Sequence, residues 1–171
     1  EKYCLVVVCA FTRKVWVYPM KAKNEAFDRF QAWRAGIQTH LKAHTAPDMH
    51  VTTSVRVDGE GDFNSTSFNE YCAHSGITIQ RSVPGETHAA LAEAAIKQLK
   101  RMSRCMLLEA PHLNRAFWPD ALLAAAYTYN RLPRAALSDR TPQSFWGTGD
   151  TDVGHLRVFG STCAVRLRIG R

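Results

Sequence analysis

The five cysteines, at positions 4, 9, 72, 105 and 163, include no Cys-x-x-Cys pair, and their number is odd. That pattern argues against a disulfide framework and reads as free thiols in a reducing compartment. No apolar run approaches the ~20 residues a membrane helix needs. Leu5 to Ala10 is too short and wrongly flanked for a signal peptide. These absences predict an intracellular chain, nuclear or cytoplasmic, without a membrane partner. Neither an internal repeat nor a low-complexity segment occurs, which sets aside solenoids and arrays. An initiating Met is missing and the chain stops just after a strand-like run, so a fragment of a longer protein is expected.

What is present is the composition of one soluble domain: 171 residues, 46% apolar and 22% charged, with enough chain for a real core. A net charge of +7 and a pI near 9.4 lean toward anionic partners, nucleic acid before membrane. A merely basic surface is the bland alternative.

Tyr3 to Ala10 is a continuous apolar, β-branched run, as expected of a central strand buried on both faces. Thr12 to Lys14 makes a turn, and Val15 to Pro19 returns as the second arm of a hairpin. Phe27, Phe30, Trp33 and Ile37 then fall at helical spacing, in a helix ending near His44. From Val51 to Asp58 apolar and polar residues alternate, so Asp58 ends a strand on its polar face. Asn64 to Thr66 caps a short helix stopped by Gly76, and Ile77 to Arg81 is a further strand. A long helix follows, from about His88 to Glu109. Leu91, Ala95, Leu99, Met102 and Met106 line one face, and Glu93, Lys97, Lys100 and Arg104 centre on the other. Phe117 to Asn130 is another helix, and Thr141 to Trp146 a short capped one. His155 to Gly160 and Thr162 to Arg168 read as strands.

Asp58 at a strand end and Glu93 on a later helix suit a divalent-metal site, since Mg²⁺ takes hard oxygen ligands at a few fixed points. Two acids so placed are common in any globular protein. The order β-β-α-β-α-β-α around them suggests a ribonuclease H-like α/β fold, a mixed central sheet flanked by helices.

The words along the chain are more specific. Phe11 to Lys14 with Val15 to Pro19, Val57-Asp58 with Gly61 to Phe63, and Phe68 to Cys72 closely resemble the integrase core of copia-type LTR retrotransposons. So do Gly76-Ile77, Val83-Pro84, Phe117-Trp118, Tyr129 to Pro133, Thr141-Pro142 and His155 to Gly160. The resemblance covers essentially the whole chain. It implies residues 1–110 as the catalytic-core-like part and 111–171 as a copia-type helical and β extension packed on it. It further implies a DNA strand transferase with an Asp, Asp, Glu triad and two Mg²⁺ or Mn²⁺ ions, acting on retroelement ends and target DNA, usually as a homodimer.

On that resemblance Asp58 takes the place of the second Asp and Glu93 that of the Glu, with 34 residues between them, one short of the usual gap. The first Asp is expected two residues before Phe11, where the chain has Cys9. A thiol is a soft ligand, mostly protonated at neutral pH, and favours Zn²⁺ or Cu(I) over Mg²⁺. The polar loop before the Glu, and the Arg after it, are replaced by residues Glu86 to Ala92 and by Ala94. The expectation is therefore a core that folds and has lost strand-transfer chemistry. Asp58 and Glu93 would then hold a metal weakly or not at all. Lys97, Lys100, Arg104 and Arg56 are the candidates for phosphate contacts, with a solvated helix face as the alternative. An active transferase with a substitute third ligand and a non-catalytic scaffold stay open as other readings. His40, His44 and Cys72 imitate a zinc pattern that lacks its closing cysteine, and they sit inside core elements.

Overall fold

A computed structural model describes residues 1–44, 52–57, 61–81, 90–146 and 151–163. Strands β1 (Tyr3–Val8) and β2 (Val15–Met20) form an antiparallel hairpin in which Val8 faces Val15 and Tyr3 faces Met20. Helix α1 (Ala26–His44) follows, then β3 (Ser54–Val57), α2 (Thr66–His74) and β4 (Thr78–Arg81). β3 and β4 pair in parallel, as the intervening helix requires. Helices α3 (Ala90–Glu109) and α4 (Trp118–Arg131) complete the order. The expected succession is present, with two separate two-stranded ladders, β1–β2 and β3–β4.

Local chemistry accounts for the boundaries. The Ser65 hydroxyl accepts from Phe68 N and caps α2, and Gly76 at φ 65° takes the chain out of it. The hairpin turns at Ala10 to Arg13. Arg13 adopts a left-handed conformation (φ 61°) and donates its amide to Cys9 O, so that Arg13 and Lys14 together oppose Cys9.

The apolar residues form two clusters on opposite sides of the hairpin. Alternation along the strands sends Val6, Val8, Val15 and Val17 to one side, against Ala95 and Leu99 of α3 and Leu122, Ala125, Ala126 and Tyr129 of α4. Leu5, Val7, Trp16 and Tyr18 go to the other, against Phe30 and Trp33 of α1, Phe68 and Cys72 of α2, and Val57 of β3. Phe68 is fully buried, with the rings of Phe27, Phe30 and Phe63 edge-on to it.

Three sequence expectations are corrected. β1 is half-buried along most of its length rather than buried on both faces, because among the described residues β2 is its only ladder partner. Residues 155–160 form turns instead of a strand. Leu156 N bonds Val153 O, Ser161 N bonds Val158 O, and Arg157 folds back on the Gly154 and Leu156 carbonyls, so the backbone groups are satisfied locally. Gly160, at φ 81°, lies so close to the end of α3 that an added Cβ would stand 2.6 Å from Ala110 Cβ. Thr162 and Cys163 are likewise outside any strand, and the rest of that expected strand lies beyond the described residues.

Candidate active site

The face of α3 turned away from the core carries the candidate residues. Leu99 and Ala95 anchor the helix, and Glu93, Lys97, Lys100 and Arg104 emerge on the opposite face, all exposed. Glu93 lies in the first turn, where the positive end of the helix dipole favours a carboxylate. Among the described residues neither Glu93 nor Lys97, Lys100 or Arg104 makes an ion pair.

Arg56 is exposed on β3, and its Nη2 donates to Gln80 Oε1 of β4 at 2.6 Å, across the Arg56–Gln80 register of the parallel pair. Asp58 follows Val57, the buried last residue of β3. Asp58 itself lies outside the described residues. Cys9 follows β1 by one residue, at the hairpin turn, with a half-buried side chain. Its Sγ accepts from Thr12 N at 3.4 Å, and its amide donates to Lys14 O. No three of His, Cys, Asp and Glu converge among the described residues, a set that does not include Asp58.

Sequence reasoning missed the group beside Cys9. Lys14 Nζ stands 5.4 Å from the Trp16 ring and 4.9 Å from that of Trp146, and Trp146 Nε1 donates to Thr12 Oγ1 at 3.0 Å. Lys14 and Trp16 share a strand face, which two-residue spacing reveals. Trp146 comes from a 3-10 turn (Gln143–Trp146), and no local pattern pointed to it. Burial, with a smaller contribution from the Arg131 charge, lowers the Lys14 pKa to about 8, against an opposing effect of Cys9. The folded chain thus releases this proton near pH 8 while the unfolded chain holds it to about 10.5. Stability from this group therefore rises with pH across that window. After discounting for partial exposure, the gain is on the order of 1 kcal/mol. Urea midpoints of the wild type should climb between pH 7.5 and 10 relative to Lys14→Met, and the Lys14 ¹³Cε resonance should titrate near 8. A midpoint above 10 would refute the burial argument.

The fold and the order of its elements are those of a ribonuclease H-like α/β domain, the fold of integrase catalytic cores. Its backbone matches the HTLV-2 integrase catalytic core domain solved in complex with magnesium, with a TM-score of 0.58 and 21% identity over 81% of this chain and 80% of that one. The intasome of simian T-cell lymphotropic virus in complex with PP2A regulatory subunit B56 gamma gives 0.61 and 17%, over 96% of this chain and 53% of that one. In sequence, the chain is 31% identical over 161 residues to the Pol polyprotein of transposon TNT 1-94 of Nicotiana tabacum, covering 94% of this chain. It is 27% identical over 169 residues to that of transposon RE2 of Arabidopsis thaliana, covering 98%. The chain is homologous to the copia-type retrovirus-related Pol polyproteins. It spans only 11–12% of the length of these relatives. No protein-family model matches it. Among the described residues no helix is long and apolar enough to cross a membrane.

Proposed function

We propose that this integrase core-like domain binds DNA through α3 and has lost metal-dependent strand transfer. Residues 1–110 form the core-like part and 111–171 the extension. Homology to Pol polyproteins supports the class, and the exposed stripe of Lys97, Lys100 and Arg104 supports phosphate contact. Cys9 is the observation that carries the loss. In the triad assignment Asp58 and Glu93 supply hard oxygen ligands, and the third corner is a half-buried thiol already accepting a hydrogen bond from Thr12 N. That donor set does not fit a pair of Mg²⁺ or Mn²⁺ ions, which favour oxygen throughout. The fold's match to a core solved in complex with magnesium supports a divalent metal as the ancestral cofactor, with Cys9 read as the departure from it.

The expected result in a strand-transfer assay with Mn²⁺ is no activity in the wild type, no change in Asp58→Asn, and gain of activity in Cys9→Asp. Wild-type activity abolished by Asp58→Asn would instead establish a working transferase with a different third ligand. Duplex DNA affinity should fall with salt, and Lys97→Ala/Lys100→Ala should reduce the log–log salt slope by about two. Binding without salt dependence, unchanged in the double variant, would leave a scaffold as the reading.

A further inference from the structure

The end of α4 and the turn of the hairpin are held side by side. Asn130 takes both backbone groups of Val15: its Oδ1 accepts from Val15 N at 2.9 Å and its Nδ2 donates to Val15 O at 2.8 Å. From there the chain passes from the Tyr129 side of the hairpin to the Trp16 side, where the Trp146 and Trp16 rings meet with centroids 5.0 Å apart. Residues 131–146 therefore wrap the outer edge of β2, while α3 lies over β1. The turn, residues 10–16, and this wrapping stretch carry five cations, Arg13, Lys14, Arg131, Arg134 and Arg140, against one carboxylate, Asp139.

The arginines lie on aromatic faces. Arg131 stands 3.5 Å from the Tyr127 ring centroid, Arg134 3.6 Å from that of Tyr129 and Arg140 4.0 Å from that of Phe145. A guanidinium stacked in this way uses its π-face and keeps the N–H donors of its edge for other partners. Among the described residues Arg13, Arg134 and Arg140 form no ion pair, and Nη1 of Arg13 and Nε of Arg134 are buried without a hydrogen-bond partner. Ser138 and Asp139 both take the left-handed conformation, at φ 52° and 58°, and turn the chain so that Arg134 and Arg140 oppose each other across an antiparallel bridge. Like charges directly opposite are destabilising, so the fold alone does not call for this pair. Beside them, at the hairpin turn, Phe11 is 75% exposed and in T-shaped contact with Phe145, centroids 5.9 Å apart.

We infer that this edge of the domain is a binding surface for single-stranded nucleic acid, with a base stacked on Phe11 and phosphates held by Arg134 and Arg140. Strand binding without sequence preference needs a cationic track and an open aromatic face, and the two occur together here. A duplex offers phosphates but keeps its bases stacked on one another, which gives Phe11 nothing to stack on. An acidic peptide would meet the guanidinium edges without supplying a planar face at every unit. The exposed phenyl ring is therefore what favours the unpaired strand. Lys14 takes no phosphate. Its Nζ sits near two indoles, 5.4 Å from Trp16 and 4.9 Å from Trp146, and it adds to the local positive potential. The surface goes beyond the α3 stripe: neither Lys97 nor Lys100 takes part, and it stands whether or not α3 binds DNA.

Fluorescence anisotropy with a labelled oligothymidine of about 12 nucleotides, beside a duplex of the same length, tests it. Phe11→Ala should weaken single-strand binding about 10-fold and leave duplex binding unchanged, and Phe11→Trp should restore the single strand. Arg134→Gln/Arg140→Gln should lower the single-strand log–log salt slope by about 1.4. Lys97→Ala/Lys100→Ala should leave the Phe11 dependence in place, which separates this surface from α3. Urea midpoints matching the wild type show that the Phe11 variants fold. Three outcomes would overturn the proposal. One is no binding of the oligothymidine at low salt. Another is a Phe11→Ala variant that binds the single strand as the wild type does, or loses the duplex equally. The last is tighter binding of polyglutamate than of the oligothymidine, unchanged in Phe11→Ala, which assigns the surface to an acidic protein.

Discussion

Phe68→Ala is expected to lower stability by about 3–5 kcal/mol. Phe68 is fully buried, and three aromatic rings stand edge-on to it with centroids at 5.1 to 5.8 Å. Truncation removes the transfer free energy of the ring, leaves a void, and ends edge-to-face contacts contributing roughly 0.5–1.5 kcal/mol each. The surrounding cluster ties α1, α2 and β3 to the hairpin, so it has little freedom to collapse into the void. In urea the midpoint should fall with an unchanged m-value, and Tm should drop by roughly 10 °C. A loss below about 1 kcal/mol would mean that α2 does not pack through this ring.

Asn130→Leu should cost about 3 kcal/mol, for a different reason. The side chain is buried, 7% exposed, and both of its polar atoms hold the backbone of Val15. Leucine keeps the volume but leaves a buried N–H and a buried C=O unsatisfied, each costing roughly 1–3 kcal/mol. Asn130→Asp gives a signature that packing alone does not. At neutral pH the introduced carboxylate still accepts from Val15 N but faces Val15 O without a proton to donate. Protonation restores the missing donor, so this variant should recover stability relative to wild type as pH falls toward 4. Equal losses for both variants at every pH would show that the amide's hydrogen bonds are not the cause.

The contrast between these two sites shows what a sequence carries. Phe68 and the α3 stripe of Ala95, Leu99, Met102 and Met106 are legible because helical periodicity and capping are set within a few residues. The same holds for Arg56 and Val57, which alternation places on opposite faces of β3. Asn130 reads as an ordinary polar residue near a helix end, and its partner stands 115 positions away. Lys14 likewise becomes unusual only when Trp146 closes over it, 134 positions on from Thr12. β1 teaches a related lesson. Its apolar run describes the surroundings the strand is suited to, not the half-buried setting found among the described residues. In the candidate site, the exposure of Glu93, Lys97, Lys100 and Arg104 follows from helix geometry alone, whereas the triad places given to Asp58 and Cys9 came from the resemblance.

The Asn130 clamp also dictates an order of events during synthesis. Val15 leaves the ribosome more than a hundred residues before Asn130, a delay of roughly 5 to 25 s at ordinary elongation rates. Until then the hairpin has formed locally while both of its flanks remain able to pair with other chains. The domain is therefore most exposed to misassembly as a nascent chain. Variants that slow translation between α1 and α4 should lower its soluble yield even though they leave the finished protein unchanged.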